Sequence, residues 1–237
     1  LYMTLNGSSM STAVAAGAST MARQFLRVNE GMVEPRSDLI RSVLINGADD
    51  LGTADIPNPF EGWGQINISN SLYPEYNGIQ LDQLYDDSRE LKPGHSFVYT
   101  IQSETNSRFD VTLVWNDPEG SAVANQSSPK LLNDLDLIVT SPSGLVYYGN
   151  NFASGNSVTG GAKDSLNNVE RFRLQNSEIG TWSIEVGHAG GNLQDFSIVM
   201  TGEINEIILP DLTVFTNSLS TSVQSPLQGD TFLIEAQ

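Results

Sequence analysis

The chain has 237 residues, 39% of them hydrophobic, enough to bury a core in one large domain or two ordinary ones. Its 11 Lys and Arg stand against 28 Asp and Glu, a net charge of −17 that speaks against a phosphate-neutralising surface and hence against nucleic acid as a partner. The absence of Cys rules out disulfides, zinc–thiolate sites and thiol nucleophiles, and no apolar run approaches the roughly 20 residues of a membrane span.

Leu1 to Leu5 carry no basic segment and no long apolar stretch, so they do not read as a signal peptide but as the interior of a domain already under way. From Ser9 to Leu26, Met10, Val14, Gly17, Met21 and Phe25 recur at three- and four-residue spacing and predict a helix. The run of Ala13, Ala15, Ala16, Gly17 and Ala18 suits a helix enclosed on several sides. A second helix is expected from Arg36 to Asn46, with Pro35 at its start and Gly47 as its C-terminal cap. After Gly62-Trp63-Gly64 the helical signal ends.

From about Ile79 to Ile204 short β-branched and aromatic runs alternate with turn signals such as Lys92-Pro93-Gly94 and Ser141-Pro142-Ser143-Gly144. Strands are expected at 97–101, 109–115, 135–140, 145–148, 169–174, 181–186 and 196–201, in an antiparallel sandwich or jelly roll. The polar stretch from Gly149 to Asn168 reads as a long loop, a length that is usually functional.

Two places carry chemistry. In Asn6-Gly7-Ser8-Ser9-Met10 a glycine turn feeds the helix that starts at Ser9, where free backbone N–H groups and the positive end of the helix dipole favour developing negative charge. A serine there is either an N-cap or a nucleophile whose own amide serves as an oxyanion donor. In Asn133-Asp134-Leu135-Asp136-Leu137, alternation puts Asp134 and Asp136 on one side of a strand. The pair is either a solvated acidic face or the seat of a hard cation, for which Asp117, Asn150, Asn151, Asp164, Asn167, Asn168 and Glu170 offer further oxygens. His95 and His188 both read as solvent-facing loop residues. Asn6, Asn67 and Asn125 open the short N-glycosylation pattern.

The N-terminal motif resembles the nucleophile motif of subtilisin-like serine proteases, Gly-Thr-Ser-Met-Ala-Thr-Pro, with Ser11 in place of the usual Ala and Ala13 in place of Pro. Val43-Leu44-Ile45-Asn46-Gly47-Ala48 and Glu61-Gly62-Trp63-Gly64-Gln65-Ile66-Asn67 are similar to the segments that follow it in that family. The resemblance implies an α/β fold for residues 1–75, the C-terminal part of a subtilisin-like catalytic domain, with Ser9 as nucleophile. The general base His, the orienting Asp and an Asn oxyanion donor are then expected in an upstream segment, and this chain alone is expected to be inactive. Residues 76–205 resemble the C-terminal jelly-roll domain of large alkaline members of the family, through Val114-Trp115-Asn116-Asp117, Asn133-Asp134-Leu135-Asp136-Leu137, Gly149-Asn150-Asn151-Phe152 and Asn167-Asn168-Val169-Glu170. That resemblance implies Ca²⁺ held by Asp134, Asp136, Asn151 and Asp164, with Asn151 where an Asp is usual. Residues 206–237, with Leu209-Pro210-Asp211-Leu212, resemble the opening of an immunoglobulin-like, CARDB-type repeat.

The expected function is therefore part of a secreted or cell-surface serine endopeptidase acting on polypeptides. The alternatives are a non-catalytic calcium-binding or adhesive β module and, by fold analogy alone, a carbohydrate binder.

Overall fold

The computed structural model of the chain describes residues 7–52, 55–120 and 130–207. Among the described residues three helices come first: α1 (Ser8–Val28), α2 (Ser37–Asn46) and α3 (Ile68–Leu72). Twelve strands follow: β1 (Glu75–Tyr76), β2 (Ile79–Gln80), β3 (Asp82–Leu91), β4 (Ser96–Ser103), β5 (Phe109–Val114), β6 (Asp134–Thr140), β7 (Val146–Ala153), β8 (Asn156–Thr159), β9 (Val169–Leu174), β10 (Gly180–Gly190), β11 (Gln194–Gly202) and β12 (Ile204–Glu206).

Every strand pair is antiparallel. One sheet has the order β12-β4-β10-β6-β7-β8, a second β3-β11-β5-β9, and β1 with β2 forms a small ribbon. Strand accounts for 42% of the described residues and helix for 19%, so the fold is mainly β. This corrects the expected pairing of an α/β unit with a jelly roll: α1, α2 and α3 surround no parallel sheet, and α2 packs instead on β5 and β11.

Alternation builds the core. Phe109, Val111 and Leu113 of β5, Phe172 of β9 and Phe196, Ile198 and Met200 of β11 meet Leu135, Leu137 and Val139 of β6 and Trp182, Ile184 and Val186 of β10. Phe109, Tyr147, Phe172 and Trp182 pack edge-to-face or tilted at its centre, with centroids 5.3–6.5 Å apart. The other face of the four-stranded sheet is covered by the helices, where Val199 and Tyr85 join Ala22, Leu26, Leu39 and Val43. β5 is therefore buried along its whole length.

Polar residues of that covered face tie the helices down. Asn46, at the end of α2, donates from Nδ2 to Thr201 Oγ1 at 2.6 Å and accepts at Oδ1 from Thr112 Oγ1 at 2.9 Å. Arg171 Nη2 donates to Asn46 O at 2.7 Å, placing a cation at the helix C-terminus, where the dipole is negative. Gly47 is the expected cap, but its φ of −85° is open to any residue. Contact demands the glycine: a Cβ there would lie 2.4 Å from Ser71 Cα.

α1 is less enclosed than its small residues suggested. Ala18, Ala22, Phe25 and Leu26 are buried, whereas residues 8–14 are exposed, Val14 to 69%. The polar stretch after Gly149 is only partly loop, because β7 runs on to Ala153 and β8 pairs back on it. Leu1 to Asn6, Asn125 and residues 208–237, which include nearly all of the repeat-like segment, lie outside the described residues. No described helix is long and apolar enough to cross a membrane.

Candidate functional site

Ser9 is exposed in the first turn of α1. The N-cap is Gly7, with φ 146° and no side-chain cap bond, so Ser9 does not fill the capping role. Met10 N and Ser11 N donate to Gly7 O at 3.1 and 3.4 Å. The amides of Ser8 and Ser9 precede the first intrahelical bonds, at the positive end of a 21-residue helix. Ser9 thus presents an exposed hydroxyl at the positive end of the helix dipole.

No imidazole among the described residues hydrogen-bonds to Ser9. His95 sits in the turn before β4, its Nδ1 3.2 Å from Pro93 O. His188 corrects the expectation of a loop residue: it lies in β10, 3% exposed, with Nε2 2.6 Å from Asn192 O. Asn67 also departs from a free glycan acceptor. It caps α3, accepting from Asn70 N, and donates to Asp49 Oδ2 at 2.9 Å.

The acidic cluster forms where the six-stranded sheet opens. β6 pairs with β7 only from Ile138 onward, so Asp134–Leu137 border a gap on that side. Asp134 and Asp136 stand on the face opposite Leu135, Leu137 and Val139. Glu170 reaches into the gap from the core face of β9, 1% exposed, and its Oε2 accepts from Leu137 N at 2.6 Å. A side chain at Gly149 would collide with this carboxylate, which explains the glycine. Among the described residues, Glu170 Oε1 and Asp134 Oδ1 are buried without a hydrogen-bond partner. Burial, reinforced by the surrounding carboxylates Asp136 and Asp164, pushes both acids above the usual carboxylate range.

The other predicted ligands are occupied. Asp136 Oδ2 accepts from Lys163 Nζ at 2.9 Å. Asp164 accepts from Asn150 Nδ2, Leu166 N, Asn167 N and Asn167 Nδ2, which organises the 160–168 loop. Asn151 Nδ2 donates to Val158 O and Gly160 O at 3.1 and 2.7 Å. Among the described residues no group of three His, Cys, Asp or Glu side chains is set to hold a metal ion. The sequence offers Glu170 only as a further oxygen and gives no sign of Lys163 beside Asp136. The signal for Glu170 was its period-two spacing with Phe172 and Leu174, which puts it on the core face.

No protein-family model matches the chain. The chain is similar to three Dictyostelium discoideum proteins named serine protease/ABC transporter B family protein. It is 28% identical to tagD over 299 aligned residues, covering 96% of this chain and 16% of tagD. With tagA the identity is 26% over 216 residues, covering 83% of this chain and 12% of tagA. With tagB it is 26% over 264 residues, covering 85% and 13%. The chain thus spans less than a fifth of the length of these relatives. Its relatives carry a serine protease name, and a protease-related family is the level at which the kinship stands.

Proposed function

We propose that this chain is the nucleophile-bearing part of a subtilisin-like serine endopeptidase that acts on polypeptides outside the cell. The observation that carries the reading is Ser9 exposed at the first turn of α1, uncommitted to a cap, in a chain whose relatives are named serine proteases. Ser9 Oγ attacks the scissile carbonyl, and the Ser9 amide receives the developing oxyanion. The proton of Oγ passes to a His, oriented by an Asp, both supplied by an upstream segment of the polypeptide.

The acidic cluster is proposed to hold Ca²⁺, with Asp134 and Asp136 as ligands and Glu170 beside them. What supports this reading is that, among the described residues, one buried oxygen of Asp134 and one of Glu170 have no hydrogen-bond partner, atoms a hard cation would satisfy. Asn151 and Asp164 shape the loop beside these carboxylates. Bound calcium would neutralise the carboxylates and tie β6 to that loop. The test is hydrolysis of a denatured polypeptide by the longer protein: Ser9→Ala abolishes it in an enzyme of this kind, and hydrolysis that survives the substitution refutes the reading.

A further inference from the structure

A cleft of about 490 Å³ opens where the C-terminal end of α1 meets α3 and the start of β3. Its apolar wall holds Phe25 and Tyr73, whose rings meet edge-to-face at 5.1 Å, together with Leu72, Leu81 and Tyr85. Phe25, Leu72 and Leu81 are buried, whereas 55% of Tyr73 is exposed, so the tyrosine face is the part of the wall open to a ligand. Glu30 and Asp82 stand exposed on the same cleft, and neither carboxylate is hydrogen-bonded or ion-paired among the described residues. The glutamine amides beside them are spent on the framework: Gln80 Nε2 donates to Pro74 O at 2.8 Å, and Gln83 Nε2 to Ser71 O at 3.2 Å. No Lys or Arg among the described residues lines the cleft. Two free carboxylates beside an aromatic face match a cation on an apolar stem, which is the build of a lysine or arginine side chain.

We propose that this cleft binds a basic side chain of an extended polypeptide, its stem lying against Tyr73 and its cation between Glu30 and Asp82. The inference rests on the protease reading only in taking that polypeptide to be the substrate. A bare metal ion or ammonium would use the carboxylates and leave the apolar wall unfilled, whereas a basic side chain uses both. At about 1.5 Å per residue along α1, Phe25 stands roughly 24 Å from Ser9. The basic residue is therefore not the one at the scissile bond, because an extended chain needs about seven residues to cover that distance. The cleft acts as a second anchor: once the basic side chain is held, the bond about seven residues away is presented to Ser9 at a raised effective concentration.

The experiment is an NMR titration of the full chain with a Gly-Ser peptide carrying one arginine, and with the same peptide carrying alanine in its place. The ring signals of Phe25, Tyr73 and Tyr85 are expected to shift with the arginine peptide and to stay put with the alanine peptide. Glu30→Gln/Asp82→Asn should weaken binding about tenfold, and Tyr73→Leu about threefold. Because the chain carries a net charge of −17, the control is Glu90→Gln/Glu206→Gln, which removes the same charge from exposed carboxylates outside the cleft and should leave the affinity within about twofold. Should the double cleft variant not fold, Asp82→Asn alone gives the same comparison. An equal loss in the control, or unmoved ring signals, overturns the cleft and assigns the attraction to net charge. Binding at the cleft in a protein whose Ser9 no fluorophosphonate labels upholds the site and overturns only the protease reading it serves.

Discussion

Arg173 donates from Nε to Asp110 Oδ1 at 2.8 Å, and both side chains are buried between the four-stranded sheet and the helices. Arg108 donates to the other oxygen of the same carboxylate, so Asp110 joins two guanidinium groups at the seam. Burial alone would raise the carboxyl of Asp110, but Arg108, Arg173 and Arg171 outweigh it and hold the group below its usual range. Asp110→Asn leaves buried arginines without their counter-charge and is expected to cost about 3–5 kcal/mol in urea unfolding.

The same carboxylate sets an acid response. A carboxyl held low in the folded state contributes stability that is present above its unfolded value of about 4 and is lost as pH falls through the folded value. Wild type should therefore lose stability more steeply than Asp110→Asn below about pH 4. Urea midpoints measured at neutral and acid pH test this, and parallel losses in the two proteins contradict it.

The close approach of Gly47 to Ser71 gives a second mutational test. Gly47→Ala puts a methyl group 2.4 Å from backbone and hydroxyl atoms of Ser71, forcing α2 and α3 apart. The expected loss is about 3 kcal/mol by denaturant unfolding. An unchanged midpoint would show that the two helices do not meet there.

Glu170→Gln distinguishes a cation site from a merely costly buried acid. Gln keeps an acceptor for Leu137 N and removes the charge. In chelator it is expected to melt higher than wild type, by the equivalent of about 1–2 kcal/mol. With calcium present the order should reverse. Superiority of Gln under both conditions would contradict calcium binding at this cluster.

Much of the sandwich was legible in the sequence because its strands alternate cleanly. Val169 to Leu174 is the strand expected, and Phe172 packs in the core as its spacing implies. β3 escaped notice because Asp82, Asp86, Asp87 and Glu90 dilute its pattern, as suits an edge strand pairing only with β11. α3 was missed because five residues give too little periodicity to read. The enclosure expected for α1 came from small residues, and smallness reports how closely a neighbour can approach, not that one is present. The glycines around His188 predict a loop, yet the β-bulge between His188 and Gly190 lets β10 continue through them. The acidic pair on β6 was readable from alternation, whereas Lys163 belongs to the site only through a loop path that no local pattern encodes.

Ser9→Ala should be silent in stability, because the side chain is exposed and has no capping role. Its unfolding midpoint should stay within about 0.5 kcal/mol of wild type. A loss beyond that would assign Ser9 a structural task.

If Ser9 is a nucleophile, a fluorophosphonate should label it covalently. A folded polypeptide carrying this chain together with the proposed upstream segment is exposed to the probe, and the adduct is mapped by mass spectrometry. One adduct is expected, on Ser9, absent from Ser9→Ala and from heat-unfolded protein. A folded protein that never labels, or that labels equally after Ser9→Ala, contradicts it.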